Sequence, residues 1–374
     1  MEVKLLKSIR EVEEKEWDSI VSTDRLICSH RYLKAIEESN INDCDFRYIV
    51  AYRNGKVIAH TCIYSMSFDL DIFATGLVQR INNTIRRIYP GFLKMGLVEC
   101  GTPTALGNTI SYAEGVERVE ILNLFVEKMD EFAREKDIGL LILRDFTEDE
   151  IKFYDILKQF DFSRVNNLPN TLLKITWNSF DDYIQGLRSN YRYKIKKNIK
   201  KSADRRIKIE LLDDYSQYAE VLCRLWMNVY ERAKEYKREI LTPQYFKNLN
   251  RYLAGEALVV VVKKDEEIIG FSLILIDNLT LRYIYSGLNY EYNDDYSVYF
   301  NMLYTMIKFA IESRKHKFEM GITTYIPKLD VGAQIEPLYV YLRHRNNILN
   351  SIVPKAFGFF TPNNTSKLRN VFRK

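Results

Sequence analysis

Only five of the 374 residues are cysteine (Cys28, Cys44, Cys62, Cys100 and Cys223). No two form a CxxC pair, so neither a disulfide framework nor a zinc ribbon organises the chain. The four histidines, His30, His60, His316 and His344, share no ligand spacing such as HExxH, and no metal site is expected. No stretch approaches the roughly 20 apolar residues that span a bilayer. The first residues, MEVKLLKSIREVEEKEWDSI, lack the apolar core of a secretory signal, so a soluble, cytoplasmic protein is the expectation. Phosphate-cradling and nucleophile motifs are missing too: there is no GxxxxGK[ST] loop, no GxGxxG after a strand and no GxSxG elbow. An enzyme built on this chain therefore works by positioning and proton transfer rather than through a covalent intermediate.

What is present suffices for sizeable cores, with 47% hydrophobic and 28% charged residues, and the length favours two domains. Two segments repeat one layout. Phe46 to Ser65 reads as strand, Asn-Gly turn, strand, a strong hairpin signal. Ala257 to Asp277 repeats it with Lys-Asp-Glu at the turn and Gly270 in place of Ala59. Each hairpin is followed at a distance by a helix and a strand: Val116 to Lys136 then Gly139 to Arg144, and Ser297 to Ser313 then Lys317 to Met320. The expected fold class is α/β (α+β), two tandem domains of one kind, each a mixed central sheet flanked by helices. The boundary falls near Pro169, giving 1–169 and 170–374. The first half carries an apparent insertion at about 66–115, with Gly76, Pro90, Gly91 and a CGTP turn at Cys100 to Pro103. It is either functional or a cover over the domain interface.

The net charge of +5 is unevenly spread. Arg188 to Lys208, RSNYRYKIKKNIKKSADRRIK, sets ten cations, among them Arg192, Lys196, Lys197 and Lys200, against the single acid Asp204. On a helix, Tyr191, Ile195 and Ile199 form a narrow apolar seam and the cations cover the rest. Such a surface attracts phosphates or polyanions; a solvated helical face is the alternative. Tyr215 to Tyr236 reads as an amphipathic helix with Trp226 and Tyr230 as candidate binding residues, and Thr242-Pro243 opens another.

The stretch from Leu281 to Gly332 gathers most of the candidate chemistry. It reads as a strand (LRYIY), a turn at Ser286-Gly287, a Tyr-rich lead-in to Tyr296, a helix from about Ser297 to Ser313 too broadly apolar for a surface position, and a short strand opening into TTYIPKLDVGA. Ligands of α/β folds bind at such strand ends. Period-two alternation places Tyr283 and Tyr285 on one face. Glu319 is a candidate base or a partner in a structural ion pair. Lys328 is placed to hold a phosphate or polarise a carbonyl, or is simply exposed. Glu99, Cys100, Arg144 and Asp145 occupy the matching region of the first half, where Cys100 reads as packing.

The order of these pieces resembles the tandem GNAT-fold acyltransferases of the FemAB and CelD-like type. It rests on SFDDYIQGLRSNYRYKIKKNIKK, LRYIYSGLNYEY, YFNMLYTMIKFAIE and KFEMGITTYIPKLDVGA, and covers about Asn170 to Asn347. The resemblance implies that Lys328 lies at the acyl-transfer site, with Pro327 where the family has an aromatic residue, and that a β-bulge near Tyr285 to Leu288 offers backbone N–H groups to an acyl carbonyl. Glu319, Lys328, Tyr285 and Tyr325 are then the catalytic candidates. Arg282, Tyr283, Gly287, Tyr296, Trp226, Tyr230 and the basic helix are the candidates for holding substrates. EYNDDYSVY replaces the glycine loop that binds the pyrophosphate of acetyl-CoA. The expected activity is acyl or aminoacyl transfer to an amine acceptor from a carrier protein or aminoacyl-tRNA rather than free acyl-CoA, with no tightly bound cofactor. A non-catalytic scaffold binding RNA or an envelope intermediate, or a plain acyl-CoA N-acetyltransferase, are the alternatives.

Overall fold

The computed structural model describes residues 1–69, 84, 94–233, 237–360 and 369–373. Fifteen strands and twelve α-helices are assigned among them. The first half contains β1 (Glu2–Leu6), β2 (Asp45–Arg53), β3 (Lys56–Asp69), β4 (Lys94–Cys100), β5 (Ser111–Tyr112), β6 (Leu140–Phe146) and β7 (Ser163–Asn166). Its helices are α1 (Glu14–Asp18), α2 (His30–Glu37), α3 (Arg118–Glu135) and α4 (Ile151–Tyr154). The second half contains β8 (Asn170–Lys174), β9 (Lys208–Leu212), β10 (Ala257–Lys264), β11 (Glu267–Ile276), β12 (Thr280–Leu288), β13 (Lys317–Glu319), β14 (Gln334–Glu336) and β15 (Tyr339–His344). Its helices are α5 (Phe180–Gly186), α6 (Ser189–Ala203), α7 (Ala219–Arg232), α8 (Pro243–Tyr252), α9 (Tyr290–Tyr296), α10 (Val298–Glu312), α11 (Tyr325–Asp330) and α12 (Asn347–Phe360).

The strands form two mixed sheets, ordered β1-β2-β3-β4-β6-β15-β7 (with β5 against β3) and β14-β8-β13-β12-β11-β10-β9. Both hairpins form where the sequence places them. Asn54 and Gly55 take positive φ of 53° and 73°, the tight-turn geometry that an Asn-Gly pair accommodates. In each half one parallel pair sits among antiparallel neighbours, β4 with β6 and β12 with β13.

Two expectations are corrected. The stretch 66–115 is not simply an insertion: β3 continues to Asp69, and Lys94–Cys100 is a central strand paired with both β3 and β6. Its alternation is interrupted by Gly96, which hides it from a pattern reading. Gly76, Pro90 and Gly91 lie outside the described residues. The span 170–374 does not all belong to the second sheet, because β15 crosses back and inserts between β6 and β7 of the first. Beyond it, α12 packs Val353 and Phe357 into the core.

Helix α3 buries Ile121, Leu122, Phe125, Met129 and Phe132 against one face of the first sheet. Helix α10 does the same for the second sheet, and its apolar residues on nearly every side are buried, as their breadth requires. A third core joins the halves. It takes Tyr48, Tyr64 and Val340 from the first sheet, Val259, Phe271 and Leu273 from the second, and buried residues of α2, α7 and α8 between them. Side chains stitch the same seam: Asn248 Nδ2 donates to Ser39 Oγ at 3.2 Å, and Leu26 N–H to Asp277 Oδ1 at 2.5 Å.

Candidate active site

Strands β12 and β13 pair through Thr280–Lys317, Leu281–Phe318 and Arg282–Glu319. There β13 ends, while β12 runs on to Leu288 against β11. The two strands therefore part, leaving a fork at their C-terminal ends. Gly321 turns the chain away at a φ of +82°, a conformation that favours glycine, and α11 brings Lys328 back into the opening. The Lys328 Nζ donates to Gly321 O at 3.3 Å and lies 5.7 Å from the centre of the Tyr283 ring. No carboxylate is paired with it among the described residues, and it is only 2% exposed. Burial alone pulls its ammonium down from the ordinary lysine value to about 7. An ammonium has three N–H donors, so two remain for a substrate.

The neighbours of Lys328 are held firmly. Thr171 Oγ1 donates to the same Gly321 carbonyl at 2.7 Å, and Gly321 N–H donates to Asn170 Oδ1 at 3.1 Å. Tyr325 O–H donates to Pro169 O at 2.9 Å, pinning the start of α11 to the crossing between the sheets. Tyr283 donates to Ser286 Oγ at 2.6 Å, and burial pushes its phenol up to about 12. The Tyr299 hydroxyl beside it is buried with no hydrogen-bond partner.

The β-bulge falls at Ile284, between the Leu273–Tyr285 and Ile274–Tyr283 pairs, rather than within Tyr285 to Leu288. An extra residue reverses the alternation. Tyr283 therefore faces the α10 side, while Tyr285 turns into the interdomain core, where its O–H donates to Glu239 Oε1 at 2.7 Å. The shared face expected for these tyrosines is absent. Gly287 is no turn residue but part of β12, opposite Phe271. A Cβ there would lie 2.5 Å from Leu225 C and Trp226 N, so glycine is what lets α7 lie against the strand. Trp226 packs between Tyr230, at 5.1 Å, and Tyr285, at 6.3 Å between ring centres, inside the interdomain core.

Glu319 faces away from Lys328, into a cleft between the two halves. It pairs with Arg282 and, at 3.2 Å, with Lys317. Burial acts against the charge of Arg282, but Glu319 and Asp277 outweigh it and hold the guanidinium above its ordinary value. In the first half Glu99 is buried with Arg144 at 3.1 Å and Arg238 at 2.6 Å. Burial pushes its carboxyl up, and the two arginines more than reverse this, so Glu99 stays below the ordinary carboxylate range. Burial raises the Cys100 thiol to about 12, the state of a packing residue.

The basic run folds as α6 and adjoins the fork: Lys194 Nζ pairs with Asp330 Oδ2 at 2.6 Å, two residues beyond Lys328. Ile195 is buried, but Ile199 is 38% exposed, so the apolar seam is shorter than its spacing predicts. Lys196, Lys197 and Lys200 are exposed and Arg192 half-buried, none paired with a carboxylate among the described residues. Tyr296 ends α9 beside this helix, its carbonyl accepting from Ser202 Oγ at 2.6 Å and its ring 5.1 Å under Arg205. The acids Glu291, Asp294 and Asp295 of α9 stand immediately before α10. Sequence reasoning passed over Asn170, Thr171, Tyr299 and Glu336; Asn170, Thr171 and Glu336 lie in short strands without a motif, and Tyr299 is one residue of a helix read only for its apolar stripe.

Comparison with known proteins agrees with this architecture. The chain is 30% identical over 319 residues to a protein of Mycobacterium tuberculosis named putative 8-amino-7-oxononanoate synthase 2, an overlap of 84% of this chain. The chain spans only about 41% of the length of the curated relatives it matches. Among solved structures, FemX superposes with a TM-score of 0.60 at 13% identity, covering 95% of this chain and 100% of that one. A tandem GNAT protein from the clavulanic acid biosynthesis pathway gives 0.53 at 8% identity, covering 92% and 99%. The C-terminal domain of a putative lysylphosphatidylglycerol synthetase from Agrobacterium fabrum gives 0.53 at 10% identity, covering 96% and 99%. At these identities the likeness establishes the fold. A family model described as peptidoglycan biosynthesis/recognition matches residues 8–346, and the chain belongs to this FemAB-like family, with the tandem GNAT fold of acyltransferases.

Proposed function

We propose that this FemAB-like transferase moves an acyl or aminoacyl group from an activated ester or thioester to an amine at the fork between β12 and β13. The observation that carries the reading is Lys328, buried without a counter-charge among the described residues and hydrogen-bonded there to a backbone carbonyl. Attack of an amine on an acyl carbonyl puts negative charge on the carbonyl oxygen, and an ammonium in a water-poor site stabilises that charge far more than it would in water. The two spare N–H donors of Lys328 supply the stabilisation.

The donor reaches the fork along α6. Its unpaired cations attract the phosphates of a tRNA or the acidic surface of a carrier protein, and the Lys194–Asp330 pair joins α6 to the helix that bears Lys328. Free acyl-CoA fits less well, because the three acids of α9 occupy the place of a pyrophosphate loop.

The test offers the purified protein acyl-CoA, a loaded carrier protein and aminoacyl-tRNA, each with a panel of small amines. Turnover with carrier or tRNA is expected, reduced about 100-fold or more by Lys328→Met. Donor binding should be salt-sensitive and should weaken when Lys196, Lys197 and Lys200 are changed to Gln. Full turnover by Lys328→Met would remove the fork from the mechanism. A non-catalytic scaffold would bind polyanions through α6 and turn over none of the three donors.

A further inference from the structure

Helix α11, which bears Lys328, has only six residues, far short of the roughly 12 to 15 at which an isolated helix becomes marginally stable. It also starts without a side-chain cap, at Thr324 with a φ of +57°. Its orientation, and with it the place of Lys328 in the fork, is therefore set by what grips it from outside. Tyr325 holds the start of the helix on Pro169 O. At the other end the Tyr183 O–H donates to Val331 O at 2.9 Å, and Gly332 turns away at a φ of +95° against the Phe372 ring. A Cβ on Gly332 would lie 2.3 Å from two atoms of that ring.

Between these two holds stands Asp330, only 6% exposed. Its Oδ2 accepts from Lys194 Nζ of α6 at 2.6 Å, and its Oδ1 pairs with Arg369. Arg369 belongs to a segment, 369–373, that is anchored at the root of α6. Val371 is buried among the residues that α10 covers. Its carbonyl accepts from Arg188 N–H at 2.9 Å, and Arg373 N–H donates to Gly186 O at 2.9 Å. Phe372 packs on Trp177 and Tyr183, at 5.0 and 6.1 Å between ring centres. Gly186 ends α5 and Arg188 precedes the first turn of α6. One carboxylate thus joins α11 to the basic helix twice, directly through Lys194 and indirectly through this segment.

A buried acid held by two cations often adds little net stability over an apolar replacement; what it contributes is a fixed geometry. Asp330 does not act on the charge of Lys328 itself. Positions two apart on a helix do not face each other, and burial is the cause that shifts the Lys328 ammonium. Resting on the transfer reaction proposed above, we propose that Asp330 is a positioning residue for that reaction: clamped between Lys194 and Arg369, it fixes α11 so that Lys328 stands buried against Gly321 O.

The clamp divides the work of the basic helix. Lys194 is committed to α11, while Lys196, Lys197 and Lys200 remain for the donor. Because α6 carries both functions, a donor docked on it is held in register with the fork. Without the clamp, α11 keeps its grip at Tyr325 and swings at its far end, carrying Lys328 Nζ away from Gly321 O and toward water. A displacement of about 1 Å at a reacting group is enough to cost on the order of 100-fold in rate.

The test is an NMR titration of the whole protein with 13C-labelled lysine, the Lys328 signal being the one missing from Lys328→Met. In Asp330→Asn the Lys328 ammonium should titrate about one unit or more above its parent value, on the way back to that of a lysine in water. The sign is diagnostic. If Asp330 acted by its charge, removing it would lower the Lys328 value; if it only supported the fold, the protein would melt lower with Lys328 unmoved. Either result overturns the proposal. Arg369→Gln and Lys194→Gln change side chains that are 34% and 49% exposed, so they should fold even where Asp330→Asn does not. Each should raise Lys328 in part, and Arg369→Lys, which keeps the charge, should hold it near the parent. An unmoved Lys328 in the Arg369→Gln, Lys194→Gln double variant also overturns the proposal. A raised Lys328 in Asp330→Asn combined with full turnover by Lys328→Met counts against the transfer reading and leaves the clamp standing. An unmoved Lys328 combined with turnover lost in Lys328→Met does the reverse.

Discussion

Lys328 is placed against the usual behaviour of its residue type, which keeps its charged end in water. Burial lowers its folded value from 10.5 to about 7, and this fixes the sign of a stability effect. Below pH 7 the group is protonated in both folded and unfolded chains, and the full cost of burying the ammonium bears on the fold. Between pH 7 and 10.5 the folded chain binds fewer protons than the unfolded one, so this contribution to stability rises with pH; above 10.5 the cost is gone. Lys328→Met should therefore be more stable than the parent at pH 6.5, by an amount on the order of 4 to 5 kcal/mol before repacking. The gap should narrow steadily toward pH 10. Calorimetric melting across that range checks it, and a variant that melts lower at pH 6.5, or by an offset flat in pH, contradicts the burial argument. Stability gained where turnover is lost is the expected signature of a functional residue. The sequence placed Lys328 near the chemistry through its polar loop and through family likeness, and left an exposed lysine as the alternative. Nothing in PKLDVG tells a buried lysine from an exposed one, because its burial depends on Gly321 and Tyr283, 7 and 45 positions away in the chain.

At the scale of elements, the hairpins, α10 and the helix that begins at Pro243 were legible because each is written in local terms: an Asn-Gly turn, a broad apolar stripe, and a Thr N-cap followed by Pro. The path of β12 was not. Ser286-Gly287 has turn composition, yet the strand continues through it because α7 crosses there and only glycine leaves room for a helix backbone. Gly287→Ala would set a methyl 2.3 Å from Phe271 Cε1 and 2.5 Å from the α7 backbone at Leu225 and Trp226. A ring can rotate, but a helix backbone must translate, dragging Trp226 out of the interdomain core. A loss of about 1–3 kcal/mol follows from overpacking of this kind, read as a lower urea midpoint at unchanged slope. A midpoint within error of the parent would mean that α7 shifts freely and that the packing around Tyr285 is looser than drawn. The bulge at Ile284 escaped the sequence reading for a related reason. It is set by how β12 meets β11, and an extra residue in a strand has no composition of its own.

The whole molecule is less divisible than its two sheets imply. Sequence patterning separates the halves near Pro169 because hairpin, helix and strand recur on either side, but it contains no signal for which sheet a later strand will join. β15 joins the first, after the second is complete. Tyr339 to His344 pairs with β6 on one side and β7 on the other, with Tyr341 fully buried and its hydroxyl donating to Asp155 Oδ1 at 2.8 Å. Without β15, β7 has no neighbour in the sheet, β6 becomes an exposed edge, and the apolar faces of Val340 and Leu342 are missing from the core shared by both halves. A fragment of residues 1–169 should therefore fail to fold cooperatively, aggregating through the bare edge of β6, whereas residues 1–346, which end after β15, should melt in one transition. Co-expressing 1–169 with 170–374 should restore a soluble complex, since the second fragment carries the missing strand. If 1–169 alone is monomeric and melts sharply, the halves are independent domains and the cleft between them is free to open. If it folds only with its partner fragment, the two walls of that cleft are held by a strand belonging to both.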